Sequence, residues 1–284
     1  MIMDKKLPNS VAIIGAGWLG KSLAKSLLAK GVDVVVSATS SQKVASLQAE
    51  NLPATLVRAP DCLSDSLLQC QAWVICIPPG LRHGRTDYPQ QIQALAQFAQ
   101  QASAKPKHIV LISSTAVYNG LQGEVNEASK LNLNGDKVAV LHDAENKLLN
   151  ADIEHATVLR LAGLFGYDRQ PGRFFKDGRL ISEPDSVVNM IHRDDVIALI
   201  ECLLQQADKP AIVNGVSPHH PTRRAFYNKA FASLGKSTAE FAEQKLPQGK
   251  QVQSDFTATS AFNYKVNDLL AYFDNRASLE VEHG

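Results

Sequence analysis

The sequence predicts an α/β fold, a doubly wound parallel sheet with a smaller C-terminal lobe, and three observations predict it. Short apolar, β-branched runs alternate with stretches whose apolar residues recur at helical spacing. A glycine triplet, Gly15-Ala16-Gly17-Trp18-Leu19-Gly20, joins the first such run to the first such helix. The alternation then breaks at Gly163-Leu-Phe-Gly-Tyr-Asp-Arg-Gln-Pro-Gly-Arg173, a loop rich in Gly, Pro and Arg where a second lobe should begin.

Taken in order, Val11 to Ile14 is a strand entering the glycine turn, and Leu19, Leu23, Ala24 and Leu27 give the following helix its apolar face until Gly31 stops it. Val32 to Ser37, Ala54 to Val57 and Ala72 to Ile77 read as strands, and Ile92, Leu95, Phe98 and Ala102 mark a helix face. Ile109 to Ser113 is the fifth strand; a helix around Val140 to Leu149 and a strand from Ala156 to Leu161 follow. Strands separated by helices imply a parallel sheet covered on both faces. Val196, Leu199, Ile200 and Leu203 form a core-facing helix, Ala211 to Asn214 a short strand, and Thr222 to Leu234 a further helix stopped by Gly235. Residues 1–163 are therefore expected to form the first domain and 164–284 the smaller lobe, with about 189–215 returning to the first. Ser278 to Gly284 is polar and reads as a frayed end.

Hydrophobic residues make up 45% of the 284 and charged residues 20%, the balance of a globular protein. With 29 basic and 28 acidic side chains there is no global field to hold nucleic acid or an anionic membrane. No apolar run approaches the ~18 residues of a spanning helix, and the N-terminal stretch lacks the apolar core of a signal peptide. A cytoplasmic protein with a small-molecule substrate is expected, and a homodimer stays open. Cys62, Cys70, Cys76 and Cys202 show neither a C-x-x-C pair nor zinc-like spacing to His, so reduced, mostly buried thiols and no metal site are expected.

Each glycine of the triplet has a mechanical reason: Gly15 for the tight turn, Gly17 for close approach of backbone to a pyrophosphate, Gly20 for packing of helix on strand. The helix beginning at Trp18 and Leu19 then turns its partial positive charge toward the phosphates. These features are those of a Rossmann dinucleotide-binding domain. An NAD-preferring site carries a carboxylate about 20 residues further on. Here the stretch is Ser37-Ala38-Thr39-Ser40-Ser41-Gln42-Lys43, with no acid. Ser37, Thr39, Ser40 and Lys43 suit a 2′-phosphate, although no arginine in the stretch offers a bidentate contact. NADP is expected, with NAD the alternative.

The turn, together with Ile112-Ser113-Ser114-Thr115-Ala116-Val117-Tyr118, Leu159-Arg160-Leu161-Ala162-Gly163-Leu164-Phe165-Gly166 and Asn189-Met190-Ile191-His192-Arg193-Asp194-Asp195-Val196, resembles the NAD-dependent epimerase/dehydratase family, the extended short-chain dehydrogenase/reductases. Many members act on nucleotide sugars, and the motifs occur in the family's order. The resemblance implies that Ile77, Pro78 and Pro79 and the loop after them pass along the cofactor, with Ser113 nearby. It also implies that the Ser114 hydroxyl holds the substrate oxygen that gains or loses a proton as hydride moves. A Ser/Thr turn at a strand end is the plainer reading of Ser114.

One departure stands against these matches. The family's acid/base is a Tyr-x-x-x-Lys pair, and none occurs near the right place. With Ala144-Glu145 matched to the Ala-Glu that follows the pair, the Tyr position falls at Lys137 and the Lys position at Leu141. Three consequences compete: Lys137 acts itself, Tyr118, Tyr167 or His192 has taken over, or the chain binds dinucleotide without turning it over, as a sensor or regulator. His192 and Asp195 lie in the family's connection back to the core, where a structural role competes with substrate binding. Arg160 suits a ligand phosphate or a buried ion pair, and Arg173 and Arg179 suit an anionic substrate such as a nucleotide sugar or simply a solvated loop.

Overall fold

The computed structural model describes residues 6–81, 84, 86–175, 179–243, 249–260 and 262–280. Its strands are β1 (Ser10–Ile14), β2 (Asp33–Ala38), β3 (Ala54–Leu56), β4 (Ala72–Ile75), β5 (His108–Ser114), β6 (Gly123–Val125), β7 (His155–Leu161), β8 (Gly163–Phe165), β9 (Met190–His192), β10 (Ile212–Gly215) and β11 (Lys250–Val252). The helices of four turns or fewer are α1 (Trp18–Ala29), α2 (Ser41–Ala49), α3 (Tyr88–Ala99), α4 (Asp136–Leu149), α5 (Arg193–Gln205), α6 (Arg223–Ala232), α7 (Asp255–Thr259) and α8 (Ala271–Leu279).

Seven strands form one sheet in the order β10-β7-β5-β4-β1-β2-β3. β1 pairs in parallel with both β2 and β4, β2 with β3, and β4 with β5. The chain winds outward in both directions from β1, and the C-terminal ends of β1 and β4 flank the switch point where such sheets take ligands. Val11 to Ile14, Trp73 to Ile75 and Ile109 to Leu111 are all buried, which explains their continuous apolar runs: a sheet covered on both faces has no solvent side for polar alternation. Helix α1 buries Leu19, Leu23, Ala24 and Leu27. It ends where Gly31 takes φ +74° and Val32 N donates back to the Leu27 carbonyl.

Contacts divide the chain into two units. The first comprises the chain up to Val117, Leu133–Arg160 and Ile197–Val213; the second comprises Tyr118–Asn132, Leu161–Val196 and the chain from Asn214 onward. This division is finer than a single break after residue 163, and strand pairing gives the reason. β6 pairs with β11, which ties Tyr118–Asn132 to the C-terminal part. β9 pairs with β8, so of the stretch 189–215 only its middle, most of α5 and the start of β10, belongs to the first unit. The second unit has its own core, built on Phe165, Met190, Phe226, Tyr227, Tyr272 and Phe273. Among the described residues no helix is long and apolar enough to cross a membrane.

Candidate functional site

The glycine turn leaves β1 with each glycine under a different constraint. Gly15 has φ +108°, and a Cβ there would lie 3.1 Å from the carbonyl carbon and oxygen of Cys76. A Cβ on Gly20 would fall 2.2 Å from the Gly15 carbonyl oxygen. Gly17, exposed and at φ −78°, would place a Cβ in open space. The first and third glycines are thus required by the turn itself, whereas the second keeps backbone open to solvent beside the start of α1. This open cradle fits the pyrophosphate of a dinucleotide. Trp18 is half-buried and Leu19 buried at the start of the helix.

Ser37, expected beside the cofactor, makes its hydrogen bonds to the turn itself. It is buried, its Oγ accepts from Gly15 N at 3.0 Å and its carbonyl from Ala16 N at 2.8 Å, so it braces the turn from behind. Thr39 is exposed. Ser40 caps α2 through Lys43 N at 3.2 Å, and Lys43 stands exposed in the first turn of that helix. Beside them lies a residue that sequence reasoning missed. Arg58, exposed after β3, donates from Nε to the Thr39 carbonyl at 2.7 Å. Among the described residues its two terminal nitrogens make no hydrogen bond, so the fork remains available. The β2–β3 pairing creates this contact, bringing the end of β3 to the end of β2 in the register Ala38 with Leu56.

At the end of β4, Ile77 and Pro79 are half-buried and Pro78 exposed; part of the loop beyond lies outside the described residues. Burial pushes the Cys76 thiol up to about 12. At the end of β5, neighbouring serines face different partners. Ser113 is buried and its hydroxyl donates to Glu145 Oε1 at 2.6 Å. Arg160, also buried, closes on the same carboxylate with Nη2 to Oε2 at 2.6 Å, so the ion pair is the role it fills. Ser114 is half-buried, and its Oγ accepts from Ala116 N at 3.1 Å. This local turn leaves the Ser114 proton to donate, since a hydroxyl that accepts from an amide keeps its own proton.

Helix α4 contains no tyrosine. Lys137 is exposed on its first turn, and Leu141 is buried.

In the second unit, Tyr118 is fully buried and its hydroxyl donates to Asn214 Oδ1 at 2.9 Å. This contact departs from the proton-transfer role considered for it. Tyr167 donates to Asp194 Oδ2 at 2.9 Å beneath the Arg193 guanidinium, 3.6 Å above its ring. Burial and the Asp194 carboxylate push its phenol upward, away from the range of a general base at neutral pH. His192 is buried among the rings of Phe165, Tyr167 and Tyr272. A Cβ on Gly166 would meet its Nε2 at 2.5 Å. This packing suits the structural role that competed with substrate binding for His192. Asp195 accepts from Lys265 N at 2.6 Å and Val266 N at 3.1 Å, an anchoring role. Arg173 and Arg179 are both exposed.

Residues 15–207 match the NAD(P)H-binding family. The chain belongs to that family. Protein YeeZ of Escherichia coli (strain K12) is 36% identical over 250 residues, which cover 85% of this chain and 89% of that protein. The human epimerase family protein SDR39U1, solved with NADPH, superposes with a TM-score of 0.71 at 20% identity, over 95% of this chain and 99% of that one. UDP-glucuronic acid 4-epimerase from Bacillus cereus, solved with NAD, gives 0.73 at 16% identity, over 97% and 99%. The epimerase/dehydratase resemblance read from the motifs thus holds at the level of the fold, and family membership agrees with the open glycine cradle.

Proposed function

We propose that the protein is an atypical, NADP(H)-dependent enzyme of the epimerase/dehydratase type, a reductase or epimerase for a small carbonyl or nucleotide-sugar substrate that works without a Tyr-x-x-x-Lys pair. The observation that carries the reading is Ser114 at the C-terminal end of β5, its oxygen fixed by Ala116 N and its proton left to donate. The dinucleotide, held at Gly15, Gly17 and Gly20, would supply the hydride chemistry. Ser114 would bind and orient the substrate oxygen, and Lys137, exposed on α4, stands outside the machinery. For the cofactor, Arg58 adds the guanidinium that the 37–43 stretch lacks, next to Thr39 and Lys43. NADPH should bind more tightly than NADH, and Arg58→Ala should narrow the gap by about tenfold, the worth of one charge-assisted contact. Calorimetry with both cofactors, on the protein and on Gly17→Asp, tests the site: equal affinities remove the NADP preference, and unchanged binding in Gly17→Asp removes the cradle.

A second reading is a dinucleotide sensor without turnover, favoured by a helix α4 with no tyrosine and with a buried leucine where the family's lysine would stand. Steady-state assays with NADPH on nucleotide sugars and small ketones separate the two. Turnover that collapses in Ser114→Ala supports the enzyme; tight binding with no turnover on any of them supports the sensor.

A further inference from the structure

In the second unit, Lys250 opens β11 and is held on both sides of its backbone. Asn189 clamps the strand from the side: its Nδ2 donates to the Lys250 carbonyl at 2.9 Å and its Oδ1 accepts from Val252 N at 2.7 Å. On the other edge β11 pairs with β6, Lys250 against Gly123. The backbone at Lys250 is therefore fixed on both sides. Its side chain is half-buried, and Nζ donates to the Asn119 Oδ1 at 2.6 Å. Asn119 directly follows Tyr118, whose hydroxyl is anchored on Asn214 in the same unit.

Among the described residues Lys250 forms no ion pair, and its partner is a neutral amide. An ammonium withdrawn from water without a counter-charge is costly, and burial alone pushes this one down to about 8. By contrast, Lys229 and Lys265 in the same unit each rest on an aspartate, at 2.6 and 2.8 Å. One Lys250 N–H is used, and two remain for a ligand. We infer that Lys250 and Asn119 form an anion subsite of the second unit that takes a carboxylate or phosphate oxygen of a small molecule. The subsite stands independently of the proposed enzyme activity.

The test uses the unmodified protein. Acetic anhydride acetylates unprotonated amines, and peptide mass spectrometry reads Lys250 separately from the exposed Lys107 and Lys130. Inorganic phosphate or malonate, at about ten times its dissociation constant, should slow acetylation of Lys250 about tenfold and leave Lys107 and Lys130 unchanged. Protection by phosphate alone names a phosphate ligand, and protection by malonate alone a carboxylate. No protection by either, or equal protection of all three lysines, overturns the subsite. Calorimetry on Lys250→Met should show anion binding lost and NADPH affinity kept, with Lys250→Arg restoring the anion. Loss of NADPH binding in the unmodified protein would count against the dinucleotide reading and leave the subsite standing.

Discussion

The two units solve the same problem, satisfying backbone and filling a core, with different means. In the first, strands of up to seven residues pair along an extended parallel ladder, and the interior is aliphatic: Val11, Ile13, Val36, Val74, Ile109 and Val158 are all fully buried. In the second, the strands β6, β8, β9 and β11 have three residues each, and single polar side chains take the amides that the ladder does not. Asp195 holds Lys265 N and Val266 N, Glu127 holds Asn214 N and Asp255 N, and Asn189 holds Val252 N. The core of this unit joins aliphatic side chains such as Ile181, Val188 and Leu269 to a cluster of edge-to-face rings, with Phe165 4.9 Å from Tyr272 and Phe226 5.2 Å from Phe273. Stability is spread over many equivalent contacts in the first unit and concentrated in a few rings and carboxylates in the second.

The largest expected effect follows from that concentration. Phe226→Ala removes a ring that meets Phe165, Tyr227 and Phe273, and should cost about 3–5 kcal/mol. Ile109→Val in the sheet should cost about 0.5–1.5 kcal/mol. Denaturant unfolding of both variants measures the contrast, and equal costs would erase the distinction drawn between the two cores.

The same difference decides how much was legible in the sequence. β1, β2, β4, β5 and β7 were readable because a fully covered parallel strand must be an unbroken apolar run, and the glycine turn because steric demands on Gly15 and Gly20 leave no other residue. The short strands of the second unit carry no period: Met190 to His192 and Lys250 to Val252 are set by their partners across tens of residues. Helix α2 was missed because its apolar face is a single buried leucine, Leu47. At the site, Ser114 and the glycines could be read from local motifs. Arg58 could not, since its contact with Thr39 exists only through strand pairing, and neither could the partners of Ser37, Ser113 and His192, which are distant in sequence.

Acid should expose the second unit's dependence on single carboxylates. Glu280 accepts from Tyr167 N and from the Tyr272 hydroxyl, and lies 3.7 Å from His192 Nε2. Burial alone would raise its pKa, but these donors hold it down at about 2 against an ordinary 4.5. A depressed carboxylate contributes stability that is complete above the unfolded value, here 4.5, and is lost as pH falls toward about 2. The loss should be on the order of 2–3 kcal/mol. Stability against pH should therefore fall less steeply over that window in Glu280→Gln than in the unmodified protein; superimposable slopes would deny Glu280 this role.

Within the first unit, the glycine turn offers a sharper contrast on a smaller scale. Gly20→Ala forces a methyl to within 2.2 Å of the Gly15 carbonyl and should cost about 1–3 kcal/mol by overpacking. Gly17→Ala meets open space, so it should shift the unfolding midpoint little and weaken dinucleotide binding by tenfold or more, about 1.4 kcal/mol. Thermal unfolding and calorimetry on the pair separate a glycine the fold needs from one the ligand needs.

The smallest effect is expected at Lys137. It is exposed on the first turn of α4, forms no hydrogen bond or ion pair among the described residues, and follows Asp136 at the positive end of the helix dipole. Lys137→Ala should change stability by less than about 0.5 kcal/mol, with the sign toward stabilisation because a cation leaves that end. Rebuilding the family's pair as Lys137→Tyr with Leu141→Lys is not a neutral restoration, since Leu141 is 1% exposed and a lysine there would bury an ammonium among apolar neighbours. Lys137→Tyr alone is the cleaner probe. If Ser114 orients the substrate oxygen and Lys137 stands outside the machinery, Lys137→Ala should keep the natural rate, whereas Ser114→Ala should lower it by roughly 10²–10⁴-fold. A comparable fall in Lys137→Ala would bring the first turn of α4 into the machinery.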